Sequence, residues 1–195
     1  MKTQRLLPLC AIIAIGYAFT HLTLFGILEG KADTLLFFRN LSGKILGSNI
    51  LWASCAFWAG KSNLWGEKTK LRRPLHAALA GAGILFFMLI IHYIACVILG
   101  VYGLNIFSND FLWFIVALIF GPIFGLLGFF SQKIPKIELI IPLLFIAEPF
   151  LRGYLPVRTD LPWPTYLADL IASVLLIIIG LVLAIVFLRK NKRQA

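Results

Sequence analysis

The 195 residues are 61% hydrophobic and only 13% charged, with a mean hydropathy of +0.94; this excludes a soluble domain, which needs a polar exterior the chain cannot supply. The formal charge of +10 does not point to nucleic acid, because the lysines and arginines gather at the ends of apolar blocks. Composition therefore predicts an all-α protein, a polytopic transmembrane helical bundle forming a single membrane domain over residues 1–195.

Six crossings are predicted, at about 6–28, 45–60, 74–103, 111–130, 137–155 and 166–188. The first follows Lys2 and Arg5 and is too long for the apolar region of a signal peptide, so it reads as a retained anchor. Thr34 to Phe38 is apolar enough to lie along the interface before a short second crossing. The third exceeds a straight span and is expected to tilt or project from the membrane. In the fourth, Gly121-Pro122 is a predicted kink. The fifth has the weakest boundaries. The last contains Leu170 to Leu188, 19 residues broken only by Ser173; as a helix this block rises about 28 Å, close to the hydrocarbon thickness of about 30 Å.

Charge sets the predicted direction. With the N-terminus inside, the internal segments 1–5, 61–73, 131–138 and 189–195 each carry at least two Lys or Arg residues, and in total they carry more than the external segments. Both termini are then expected in the cytoplasm, with the protein in the cell membrane. Trp58 and Trp65 flank the basic 61–73 loop, and Trp113 and Trp163 fall near external boundaries, as interfacial indoles do. Trp52 fits packing inside the bundle. Small-residue pairs Ala14/Ala18, Ala77/Gly81, Gly121/Gly125 (with Gly128 nearby) and Gly180/Ala184 are candidate close helix contacts. Cys10, Cys55 and Cys96 lie in apolar blocks without a CxxC and read as buried small hydrophobes.

The main polar constellation is Glu148-Pro149 with Arg152, after the uncharged run Leu139 to Ala147. Two readings stay open. If the fifth helix continues through Pro149, Glu148 lies in the membrane with Arg152 on the same face at i+4, and carbonyls near 145 and 146 are released. If it ends near Ala147, residues 148–164 form a proline-stiffened interfacial loop. Asp169 is either an early-turn acid favoured by the helix dipole or a partner of Arg152 or Arg158. His92 is a core hydrogen-bonding histidine or a ligand contact, and Asn49 needs a partner that Gly47 and Ser48 leave room for. Glu148, Arg152, His92, Asn49 and Asp169 all map toward the external half and form the candidate ligand-binding set.

No Gly-rich GxxxxGK[ST] phosphate loop, HExxH or GxSxG occurs, so the sequence implies no cofactor and gives little support to an enzyme. Length, six crossings, cytoplasmic termini and the outward polar set resemble the substrate-binding subunits of energy-coupling-factor vitamin transporters. That resemblance implies a solute site near the external face and energy-coupling subunits docked on small first-helix residues, here Ala14 and Ala18. The words Gly47-Ser48-Asn49, Phe57-Trp58-Ala59-Gly60, His92-Tyr93 and Glu148-Pro149 also resemble landmarks of an uncharacterised family of small bacterial six-helix membrane proteins, which implies architecture alone. Three functions follow as expectations: a small-solute binding or transport component, a non-catalytic accessory, assembly or self-protection factor, and a membrane enzyme using Glu148, Arg152 and His92. The expected partners are the lipid bilayer, with anionic lipid near Lys68, Lys70, Arg72 and Arg73, and a membrane protein partner, with no nucleic acid.

Overall fold

The computed structural model describes residues 5–22, 33–62, 73–103, 111–158 and 160–192. Its helices are α1 (Leu6–Phe19), α2 (Asp33–Leu46), α3 (Asn49–Lys61), α4 (Arg73–Ile98), α5 (Phe111–Phe130), α6 (Ile140–Leu151) and α7 (Trp163–Lys192), with a 3-10 segment, Pro135–Leu139, leading into α6. The fold is all-α.

Among the described residues, three helices have the length and composition to cross a membrane: Pro74–Ile98 within α4, all of α5, and Trp163–Lys190 within α7. They correspond to the third, fourth and sixth predicted crossings. The other three differ from prediction. The first helix ends at Phe19, with 23–28 of the predicted span outside the described residues. The second is interrupted at Gly47-Ser48, and the stretch expected along the interface is part of α2. The fifth is the 3-10 segment plus 12 residues of α6. At 1.5 Å per residue, helices this short reach about 20 Å, so their lengths alone do not establish crossings.

Burial is distributed as lipid solvent requires. Large apolar side chains such as Leu118, Ile119, Val182 and Ile185 are exposed, while Ser48, His92, Glu138, Glu148, Asp169 and Ser173 are buried. Water would reward the opposite arrangement. The apolar helices and this inverted surface support multipass membrane placement.

The chain divides into two compact units. One contains α1, α3 from Trp52, α4 and α5; the other contains α2, the first turn of α3, α6 and α7. In the first unit, α5 presents Gly121, Gly125 and Gly128 to two neighbours. A Cβ on Gly125 would lie 2.2 Å from the Ala77 carbonyl oxygen, one on Gly81 2.2 Å from that of Gly121, and one on Gly128 2.0 Å from that of Phe57. From α3, a Cβ on Gly60 would lie 2.0 Å from the Gly125 oxygen. Backbone therefore meets backbone along α5, and the predicted Ala77/Gly81 and Gly121/Gly125 pairs face each other. Ala56, Leu85, Leu89, Tyr93 and Ala117 form an apolar cluster, with Trp52 and Phe114 packed on it. α5 contains Pro122 internally and remains one helix.

In the second unit, α7 packs on α6 and on α2. A Cβ on Gly180 would meet Ile146 Cγ1 at 2.7 Å and the Pro142 oxygen at 2.8 Å, so this glycine sets the α6–α7 approach. At the inner end predicted from charge, Lys190 Nζ donates to both oxygens of buried Glu138, at 3.1 and 3.4 Å. Toward the other end of the same helix, Asp169 is buried too. The two charged residues are about 32 Å apart at 1.5 Å per residue, close to the hydrocarbon thickness.

Candidate functional site

The break between α2 and α3 follows from local chemistry. Gly47 ends the first helix, its N–H donating to the Gly43 carbonyl at 2.9 Å. Ser48 occupies the N-cap position of the next, where its Oγ accepts from Leu51 N–H at 3.3 Å. A new helix start leaves its first amides without intrahelical acceptors.

Glu148 supplies them. Its Oε1 accepts from Asn49 N–H at 2.7 Å, and its Oε2 accepts from Ile50 N–H at 3.1 Å and Ser48 Oγ–H at 2.5 Å. The residue is 4% exposed. A carboxylate so buried is costly by itself, but here charge-assisted hydrogen bonds and the positive end of α3 compensate it. Arg152, one turn along α6, places Nη1 3.7 Å from Glu148 Oε1 and donates from it to the Gly47 carbonyl at 2.7 Å. The i,i+4 pair thus grips the break from both sides: acid on the amino end of α3, base on the carboxyl end of α2.

This geometry requires α6 to pass through Pro149, which it does, ending at Leu151. The loop predicted from Ala147 onward is absent at 148–151. The helix nevertheless stops short of residue 155. Gly153 has φ +68°, and Tyr154 N–H and Gly153 N–H donate back to the carbonyls of Pro149 (2.8 Å) and Phe150 (3.2 Å). This is a Schellman closure, which favours glycine at its left-handed position. It brings Tyr154 under two cations: Lys44 Nζ lies 4.5 Å from the ring centroid and Arg152 Cζ 5.6 Å from it.

Asp169 pairs with Lys44, Nζ to Oδ1 2.5 Å. This corrects the expected pairing with Arg152 or Arg158: Arg152 is committed to the helix break, and Arg158 bonds Asp160 at 3.1 Å on the exposed connection between α6 and α7. There the Arg158 hydrogen bond holds the Asp160 carboxyl below its usual range and raises the guanidinium above its own. Asn49 contributes to the cluster through its backbone amide. Glu148, Arg152, Asn49 and Asp169 therefore share one unit with Lys44, Ser48 and Tyr154, which the candidate set omitted. Ser48 had a legible signal as the N-cap after Gly47. Lys44 had none, because nothing local ties it to a residue 125 positions away.

His92 belongs to the first unit. Its ring stacks on Tyr17 with centroids 4.8 Å apart, and Trp52 meets it edge-on at 6.2 Å. Nδ1 is 3.3 Å from the Ala14 carbonyl, which only accepts, so Nδ1 carries the proton; Nε2 faces Cys96 Sγ at 3.6 Å. Trp52 is packed in this cluster, as its position in the sequence predicts. Ala14 and Ala18, the expected docking residues, are fully buried. Among the described residues, no group of three or more His, Cys, Asp or Glu side chains is placed to hold a metal ion.

Comparison with protein-family models, curated proteins and solved structures found no match. The chemistry of this site therefore rests on its own geometry: a buried anion and a cation holding an interrupted helix, next to a second ion pair.

Proposed function

We propose that the chain is a six-crossing protein of the cell membrane with both termini cytoplasmic, acting as a small-solute binding or transport component. Its site lies around Glu148, Arg152, Asn49 and Asp169, toward the external side. The observation that carries this reading is the break at Gly47-Ser48, with helix ends facing charged side chains of α6. Interrupted helices at membrane depth are stable where protein or a wetted cavity satisfies their backbone, and such breaks recur at solute sites. His92 serves packing in this reading.

Contacts within each unit support the grouping of segment ends, while the direction rests on the distribution of positive charge. Lys61 and Gln132, joined by a Gln132 Nε2 to Lys61 carbonyl bond, both fall in predicted internal segments. So do Glu138 and Lys190, whereas Lys44, Gly47, Arg152 and Asp169 fall together toward the predicted external side. A coupling partner, if it supplies energy, docks elsewhere than Ala14 and Ala18, since both are buried.

A second reading, a non-catalytic accessory or assembly factor, is favoured by the site's self-sufficiency: Glu148 with Arg152 and Lys44 with Asp169 balance in charge. A thermal-shift panel of small carboxylates, amino acids and vitamins on the detergent-purified protein separates the two. The solute reading expects a ligand that stabilises the wild type, by about 2.7 kcal/mol at one hundred times its Kd, and an E148Q variant that loses this effect. An unchanged shift in E148Q rejects the role of the carboxylate. Topology is read separately: cysteine introduced at position 67 should label only from inside, and at 158 only from outside.

A further inference from the structure

The geometry points to α2 as a lipid-engaging helix that docks on the protein by its polar face and inserts its apolar face, led by Leu35 and Phe38, into the bilayer. Ordinary surface helices bury apolar residues and show polar ones. In α2 the arrangement is reversed. Asp33, Phe37, Asn40 and Lys44 recur at helical spacing and lie within about 60° of one another around the axis. All four contact the start of α7 or its ion pair: Asp33 accepts from the Trp163 indole at 3.1 Å, Phe37 stacks on Trp163 at 6.5 Å, Asn40 donates to Thr165 Oγ1 at 3.4 Å, and Lys44 pairs with Asp169 at 2.5 Å.

The opposite stripe is Leu35, Phe38, Ser42, Ile45 and Leu46. Leu35 is 43% exposed and Phe38 57% exposed, and α2 has no fully buried residue. Asp33, Asn40 and Lys44 are thus used on α7, while Arg39, at the edge of the apolar stripe, turns back to the Leu22 carbonyl at 3.5 Å.

Depth and slant identify the occupant. Moving from Lys44 to Asp33 covers about 17 Å of α2 but only about 9 Å of α7, from Asp169 to Trp163. The helix is therefore inclined to α7, beginning beside Trp163 and reaching the level of Asp169, the outer limit of the uncharged span of α7, near its C-terminal end. Exposed Leu170 and Val174 continue the apolar surface on α7 itself. An inclined helix at a hydrocarbon boundary, apolar face outward, fits the acyl-chain and headgroup border of one leaflet. Lipid is the occupant assigned here; another helix or a second copy is a different outcome of the same experiment.

The three native cysteines are buried, so the wild-type chain serves as the labelling blank. Leu35→Cys and Phe38→Cys are each spin-labelled in liposomes, with Asp160→Cys as the water-exposed reference, since its native side chain is 68% exposed. Collision with oxygen is compared with collision with a water-soluble nickel chelate. At 35 and 38 oxygen should exceed nickel severalfold, and at 160 the ratio should invert. Nickel dominating at both α2 positions overturns the assignment in favour of water. Exclusion of both quenchers overturns it in favour of a protein partner or a second copy. The two positions report independently, so loss of one variant leaves the other decisive.

Discussion

Replacing Glu148 by Gln tests the most specific interaction in the molecule, because the amide keeps the side chain's shape and removes one of its two acceptors. In the native protein, Oε1 takes Asn49 N–H while Oε2 takes Ile50 N–H and Ser48 Oγ–H. A glutamine oxygen in the Oε2 position keeps the latter two, but its NH2 then confronts Asn49 N–H. Leaving that donor unmatched costs about 1–3 kcal/mol. Losing the negative charge at the start of α3 adds up to about 2 kcal/mol in a partly buried setting. Arg152, with its side chain 30% exposed, recovers some solvation and limits the loss of the ion pair. The expected destabilisation is about 2–4 kcal/mol, read from SDS-titrated unfolding in detergent. Ser48→Ala should cost about 1–2 kcal/mol, through the lost cap and the lost donor. Because both changes act on one network, the double variant should depart from additivity by at least about 0.5 kcal/mol. An E148Q protein within about 0.5 kcal/mol of wild type, or strict additivity with Ser48→Ala, would refute the capping account.

Gly125→Ala should be far more damaging than its single methyl group implies, since that Cβ would sit 2.2 Å from the Ala77 oxygen; a loss of about 3 kcal/mol or failure to yield folded protein is expected. Gly103→Ala, which meets nothing within 4 Å, is the matched control and should stay within about 0.5 kcal/mol of wild type. Asp160→Asn should leave the melting temperature unchanged from pH 5 to 8, because the Arg158 pair is fully solvated. The depressed carboxyl stabilises only above its unfolded pKa and loses that effect as pH falls through its lower folded value, so any difference between the two proteins is constant from pH 5 to 8 and disappears in acid. A pH-resolved melting series comparing the two proteins checks it.

The sequence reveals those features that reside in one segment. α5 runs over the predicted 111–130 because twenty apolar residues in a row leave little alternative. Gly121, Gly125, Ala77 and Gly81 identify themselves by spacing, and the structure joins them. Gly47-Ser48 carries a helix stop followed by a helix start, although hydropathy smooths it into one crossing. Gly153 similarly ends α6 where the apolar pattern alone continues. The pairing of Glu148 illustrates the limit. Arg152 is legible at i+4, yet at 3.7 Å it is the longer contact; the short ones come from residues about 100 positions away. Which helices are neighbours is a property of three-dimensional packing that no local period encodes. The same reason accounts for Lys44, rather than Arg152 or Arg158, meeting Asp169.

The spacing of Asp169 and Lys190 has a consequence for the membrane itself. Each is tied by an ion pair to another segment of its unit, so α7 has less freedom to slide than a helix carrying loose terminal charges. It acts as a gauge of thickness. A bilayer near 30 Å leaves both pairs at its borders, whereas a thinner one obliges the helix to lean or the lipid to stretch locally, at a fraction of a kcal/mol per ångström. Acyl-chain length is therefore a variable to which this protein's stability is coupled, through two lysines and two acids at opposite ends of one uncharged span.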